Sequence, residues 1–120
     1  MSVKLFDSEL NVMSVLWEQG ALPAKTIAEI LGERTGWNKN TTYTVIKKCI
    51  EKGAIARSEP HFTCSALVDK AHVQAAEVDE LVGKLFGGST ELLVASLVSG
   101  KKLPKSSADK LRALIDNMED

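Results

Sequence analysis

Trp37-Asn38-Lys39-Asn40-Thr41-Thr42-Tyr43-Thr44-Val45-Ile46-Lys47-Lys48-Cys49-Ile50-Glu51-Lys52-Gly53 reads as one helix with two unlike faces. At roughly 100° per residue, Thr42, Val45, Ile46, Cys49 and Ile50 fall on one arc. Asn40, Thr41, Tyr43, Thr44, Lys47, Lys48 and Glu51 fall on the other. The first arc is apolar and suits a core. The second offers amides, hydroxyls, a phenol and ammonium groups with a single carboxylate, a set of groups that suits the major groove of DNA. Asn38 is a good N-cap, and Trp37 just before it can pack down on the core and set the angle at which the chain turns in. Gly53 closes the helix.

Upstream, Asp7 to Gln19 reads as a first helix. Leu10, Met13, Leu16 and Trp17 recur at helical spacing, Asp7 or Ser8 can cap the start, and Gly20 can close the end. Ala21 and Leu22 form a short extended link, and Pro23 pre-sets a second helix running to about Leu31. Ala24, Ile27, Ala28 and Leu31 make its buried face, and Gly32 and Gly36 mark the stop and turn. Downstream the period changes. Ala54 to Ser58 and Phe62 to Leu67 are short strand candidates around a turn at Glu59-Pro60-His61, with Phe62, Cys64 and Ala66 on one face. Three helices followed by a two-stranded hairpin is the order of a winged helix-turn-helix, so residues 1–68 are expected to form that domain.

From Asp69 onward every signal is helical: Asp69 to Phe86, Ser89 to Ser99 and Pro104 to Met118, punctuated by Gly87-Gly88 and Gly100. The apolar positions there exceed what about 50 residues can bury among themselves. Val78, Leu81, Leu85, Leu92, Leu93, Leu97, Leu111, Leu114 and Ile115 are therefore expected to meet a second copy, most simply across a two-fold axis. The expected class is α+β, mainly α, with a helical dimerisation segment over 69–120.

Length and charge bound the function. A chain of 120 residues can hold one good core or a small domain with an appendage. With six aromatics, the core must be mainly aliphatic. No apolar run approaches the roughly 20 residues a membrane span needs, and Met1 to Asp7 lacks the pattern of a signal peptide. A cytoplasmic protein without a membrane partner is expected. The formal net charge of −1 argues against a nonspecific polycation, but charge is unevenly spread. From Arg34 to Arg57 there are six Lys or Arg (Arg34, Lys39, Lys47, Lys48, Lys52, Arg57) against one acid, Glu51. Such local clustering is what phosphates feel, although a solvated helix face produces the same pattern.

No catalytic constellation emerges: neither His pairs in sequence with a nucleophile, and Gly87-Gly88 lacks the rest of a phosphate loop. Cys49 and Cys64 do not have metal-ligand spacing, even with His61 and His72, and read as reduced, partly buried thiols. No enzyme, metal or cofactor is expected.

The chain resembles the penicillinase-repressor family of bacterial transcriptional regulators. The resemblance rests on Leu10-Asn11-Val12-Met13-Ser14-Val15-Leu16-Trp17 and on Trp37 followed by Thr41 and Thr44. It continues through Glu51-Lys52-Gly53-Ala54-Ile55, Phe62, Leu67-Val68, Lys84-Leu85-Phe86-Gly87-Gly88, Leu93-Val94, Leu103 and Leu111 to Ile115. It implies a homodimer that binds an inverted-repeat operator in double-stranded DNA and represses transcription. Members that respond to β-lactams are released by cleavage of an Asn-Phe bond; Ser96-Leu97 is the matching position here and argues against that route. Copper-responsive members carry Cys-x-Cys pairs near the C-terminus, and this chain has no cysteine after Cys64. The resemblance thus leaves an inactivating protease or effector unidentified. The turn at Glu59-Pro60-His61 looks short for the family, which implies a wing with few DNA contacts.

The residues expected to meet DNA are Lys39, Asn40, Thr41, Tyr43, Thr44, Lys47, Lys48 and Arg57. Asn40 can take adenine bidentately, Thr41 and Thr44 can meet a thymine methyl or exchange hydrogen bonds, and Lys47 can reach guanine or phosphate. Tyr43 and Lys48 are candidate phosphate contacts, with Lys25, Lys39, Arg57 and His61 at the edges. Trp17, Trp37 and Cys49 belong to the core. The competing reading is a winged-helix module that docks protein through its C-terminal helices and leaves the third helix as ordinary solvent-facing surface. A metal or redox sensor using Cys49 and Cys64 is a third.

Overall fold

The computed structural model describes residues 3–118; residues 1–2 and 119–120, the outer ends of the two expected segments, lie outside these. The described elements follow in the order α1 (Asp7–Gln19), β1 (Leu22–Pro23), α2 (Ala24–Thr35), α3 (Lys39–Glu51), β2 (Ile55–Ser58), β3 (Thr63–Ala66), α4 (Lys70–Leu85), α5 (Thr90–Ser99) and α6 (Lys105–Asp116). The chain packs as two compact units, one up to Ala76 and one from Glu77.

In the first unit α1, α2 and α3 enclose an aliphatic core that includes Val12, Met13, Ile27, Leu31, Ile46 and Cys49, closed by Ile55 and Cys64 of the sheet. The helix starts differ in mechanism. α1 is capped at Phe6, not at Asp7 or Ser8: the Phe6 N–H donates to Oε1 of Glu9 at 2.7 Å, so a carboxylate from within the first turn satisfies an amide that would otherwise be orphaned. α3 starts as its sequence suggests, with Oδ1 of Asn38 accepting the Thr41 N–H at 2.8 Å. Trp37, just before this cap, packs partly buried against the core.

α2 runs past Leu31 and through Gly32 to Thr35. A glycine inside a helix costs only about 1 kcal/mol against alanine, too little to stop it. The stop is Gly36, whose left-handed φ of 77° favours glycine and whose N–H donates to the Gly32 carbonyl.

The sheet has three strands, not two. β3 lies between β1 and β2 and pairs antiparallel with both, Leu22 opposite Cys64 on one side and Arg57 opposite Cys64 on the other. The extended link at Leu22 is thus an edge strand, and it ends in a proline that has no N–H to offer. Cys64 is buried, but Ala66 on the same face is exposed, because it lies at the end of β3. Phe62 is not a strand residue: it closes the hairpin loop with φ 49°.

α4 contains the division at Ala76. Its first turns pack with the first unit: Val73 is 8% exposed in the core, and Nε1 of Trp17 donates to the Val68 carbonyl at 3.0 Å just before α4. In the second unit, Val82 is buried, while α5 and α6 contain no buried residue among those described. Ser89 and Pro104 stand at the N-caps of α5 and α6 as expected. Leu85, Leu114 and Ile115 are each more than three-fifths exposed. No single helix among the described residues is long and apolar enough to cross a membrane.

Candidate nucleic-acid interface

The two arcs of α3 separate in the structure as the spacing predicts. Thr42, Val45, Ile46 and Cys49 are buried, and Ile50 is half-buried. Asn40, Thr41, Thr44, Lys47, Lys48 and Glu51 are exposed; Tyr43 is half-buried. Asn40, Thr41, Thr44, Lys47 and Lys48 thus share one solvent-facing surface near the helix start and middle.

Thr41 and Thr44 differ chemically. The Thr44 hydroxyl donates to the Asn40 carbonyl at 2.9 Å. Its proton is committed within the helix, so outward it can accept a hydrogen bond or present its methyl group, but not donate. Thr41 lends its backbone N–H to the cap, and its hydroxyl has no partner among the described residues.

Of the six cations between Arg34 and Arg57, two are committed elsewhere. Arg34 pairs with Glu18, Nη2 to Oε2 at 2.8 Å, and holds that carboxyl below its ordinary pKa. Lys52 turns inward, with Nζ 2.6 Å from Oε1 of Glu9 and 2.9 Å from the Lys4 carbonyl, over the Phe6 ring. Lys39, Lys47, Lys48 and Arg57 remain outward, Arg57 with its Nε 3.4 Å from Oε2 of Glu59. Lys25 joins them from α2: with Lys39, Ala28 and Glu29 it lines a shallow surface cleft of about 140 Å³.

The hairpin adds a feature that helical periodicity does not reveal. The Tyr43 and Phe62 rings meet at 5.9 Å between centroids, tilted by 58°. Cζ of Arg57 lies 3.7 Å over the Phe62 ring, and Nζ of Lys39 is 5.7 Å from the Tyr43 ring. Tyr43 therefore packs its ring against the hairpin and does not project freely like its neighbours; its hydroxyl forms no hydrogen bond among the described residues. The loop is folded on itself: Oε2 of Glu59 accepts the Phe62 N–H at 3.2 Å, and the Thr63 hydroxyl donates to the Pro60 carbonyl at 3.0 Å. His61 is exposed at the tip. The aromatic contact follows from the register of β2 and β3, with Arg57 opposite Cys64 and Phe62 immediately before β3, and no local pattern in the sequence marks it.

Cys49 and Cys64 are both buried free thiols, pushed up to about 12 and about 11 respectively, first by desolvation. Among the described residues no three His, Cys, Asp or Glu side chains converge as a metal site would require. The site is a surface of amides, hydroxyls and cations.

The family model described as penicillinase repressor matches residues 5–117. The chain belongs to the penicillinase repressor family. Within that family, the penicillinase repressor of Bacillus licheniformis is 18% identical over 115 residues, covering 94% of this chain and 90% of that protein. The solution structure of the DNA binding domain of the repressor BlaI superposes with a TM-score of 0.54 at 24% identity, over 57% of this chain and 87% of that one. The monomeric form of Bacillus licheniformis BlaI, in complex with the blaP half-operator, gives a TM-score of 0.51 at 23% identity, over 58% and 89% of the two chains. These likenesses establish the winged-helix fold for this penicillinase repressor family member.

Proposed function

We propose that this chain is a sequence-specific DNA-binding transcriptional repressor that holds an inverted-repeat operator as a homodimer. The observation that carries this reading is the exposed face of α3, where Asn40, Thr41, Thr44, Lys47 and Lys48 stand together on a winged helix. The same fold is found in complex with a half-operator in BlaI.

In this reading α3 enters the major groove. Asn40 takes an adenine edge, the Thr44 methyl and the Thr41 hydroxyl meet neighbouring bases, and Lys47 reaches guanine or phosphate. Lys39, Lys48 and Arg57 set the register on the backbone, with Lys25 and His61 at the margins, while Tyr43 contributes the ring that it packs against Phe62. The segment over 69–120 joins two copies through Val78, Leu81, Leu85, Leu92, Leu93, Leu97, Leu111, Leu114 and Ile115, and the two-fold axis spaces two α3 helices one or more DNA turns apart. Occupying the operator excludes polymerase, so binding itself is the activity and no chemical step is needed. The protein acts in the cytoplasm.

The test is selection of bound duplexes from a random-sequence pool, followed by a salt titration and mass determination. Enrichment of an inverted repeat by a dimer, preferred about a thousandfold or more over random DNA, supports the reading. Weak binding without enrichment would instead favour the protein-docking module.

A further inference from the structure

Phe62 holds a backbone conformation that large side chains rarely adopt, with φ 49° directly after His61 at φ 70°. Such conformations persist where the surroundings over-determine them, and an observed one is a reason to look for a role. Here the surroundings are specific. The Phe62 N–H donates to Oε2 of Glu59, and its carbonyl accepts the Ala24 N–H at 2.9 Å, which ties the loop to the start of α2. The ring thereby touches two elements, Tyr43 of α3 at 5.9 Å between centroids and Arg57 of β2 at 3.7 Å.

The consequence falls on Arg57. Its guanidinium lies over the ring, and Nε points to Oε2 of Glu59 at 3.4 Å. Its two terminal nitrogens have no partner among the described residues, and the side chain is about half exposed. A guanidinium stacked on an aromatic face keeps its fork in a fixed plane, the arrangement that suits the oxygens of a phosphodiester.

We infer that Phe62 is a positioning residue for the DNA backbone contact. In contact with both Tyr43 and Arg57, its ring fixes the Arg57 guanidinium relative to the α3 face, so that hairpin root and recognition helix engage one half-site together. Tyr43 acts as a spacer through its ring. This inference rests on the DNA-binding reading above.

The experiment compares Phe62→Leu, Phe62→Tyr, Arg57→Ala and the Phe62→Leu/Arg57→Ala double variant of the full chain, on the duplex that the parent enriches from the random pool. Arg57→Ala should weaken binding several-fold and lower the salt slope by about one. Phe62→Leu should approach that loss, Phe62→Tyr should rescue most of it, and the double variant should bind no worse than Arg57→Ala alone. Thermal melting reports whether each variant folds; if Phe62→Leu does not, Tyr43→Leu against Tyr43→Phe asks the same question from α3, with rescue by the ring expected. Full additivity of the two changes, or no rescue by the aromatic variants, overturns the inference while the DNA-binding reading stands. A parent that binds no duplex overturns both.

Discussion

Lys52, just past the end of α3, sets its ammonium 2.6 Å from the Glu9 carboxylate in the first turn of α1. Glu9 is fully buried, and its second oxygen has no hydrogen-bond partner among the described residues. A buried carboxylate needs its counter-charge, because removing one member of such a pair strands the other. Lys52→Met should therefore destabilise the protein by about 3 kcal/mol, the low end of that class since Lys52 is partly exposed. Urea unfolding measures it; a loss below about 1 kcal/mol would put the pair among ordinary surface bridges.

The same carboxylate sets a pH dependence. Burial pushes its pKa up, but the hydrogen bonds from Lys52 and the Phe6 amide, with the charges of Lys52 and Lys48, outweigh this and hold it below its ordinary 4.5. A lowered folded value means stabilisation that is present above pH 4.5 and is lost as pH falls through the folded value. The parent should lose stability more steeply than Glu9→Gln below pH 4.5. Glu18, lowered chiefly by its hydrogen bond from Arg34, titrates in the same window in both proteins and so drops out of the comparison. Parallel pH curves would mean that Glu9 is not held down.

Base readout and backbone contact separate at Thr44 and Lys48. Because the Thr44 hydroxyl proton is held by Asn40, the methyl group is the outward feature. Thr44→Ala should lose roughly 1–3 kcal/mol of discrimination at one operator position, and Thr44→Val should keep most of it. Lys48→Ala should weaken binding to all duplexes alike and reduce the salt slope by about one. A Thr44→Val variant as indiscriminate as Thr44→Ala would assign the readout to the hydroxyl.

Buried thiols with raised pKa values remain protonated at pH 8 and react slowly. Cys49 and Cys64 should resist a thiol reagent in the folded protein and label fully in urea. Rapid labelling of the native protein would return the redox-sensor reading to consideration.

Leu85 is 64% exposed, so a charge there does not disturb the packing of its own chain. Leu85→Glu should halve the mass in solution without lowering the melting point of the first unit. An unchanged mass would move the dimer contact elsewhere.

Much of this was legible along the chain. The α3 arcs, its Asn38 cap and the three C-terminal helices follow from period and capping chemistry, because those are local signals. What was not legible depends on contacts between distant residues. The third strand at Leu22 exists because Cys64 pairs with it, and α2 continues through Gly32 because one glycine is cheaper than ending a buried helix. Likewise Lys52 looks like one more groove-facing cation until Glu9, 43 positions away, claims it.

The shortness of β1 has a consequence for crowding. A sheet edge with free amides and carbonyls is a template onto which another chain can add a strand, and proteins commonly block it with short strands or proline. Here that edge is two residues long and one of them is Pro23. Many copies gathered along a stretch of duplex would find no backbone to zip onto at β1, so contacts between them at that edge would have to come from side-chain surfaces, which can let go.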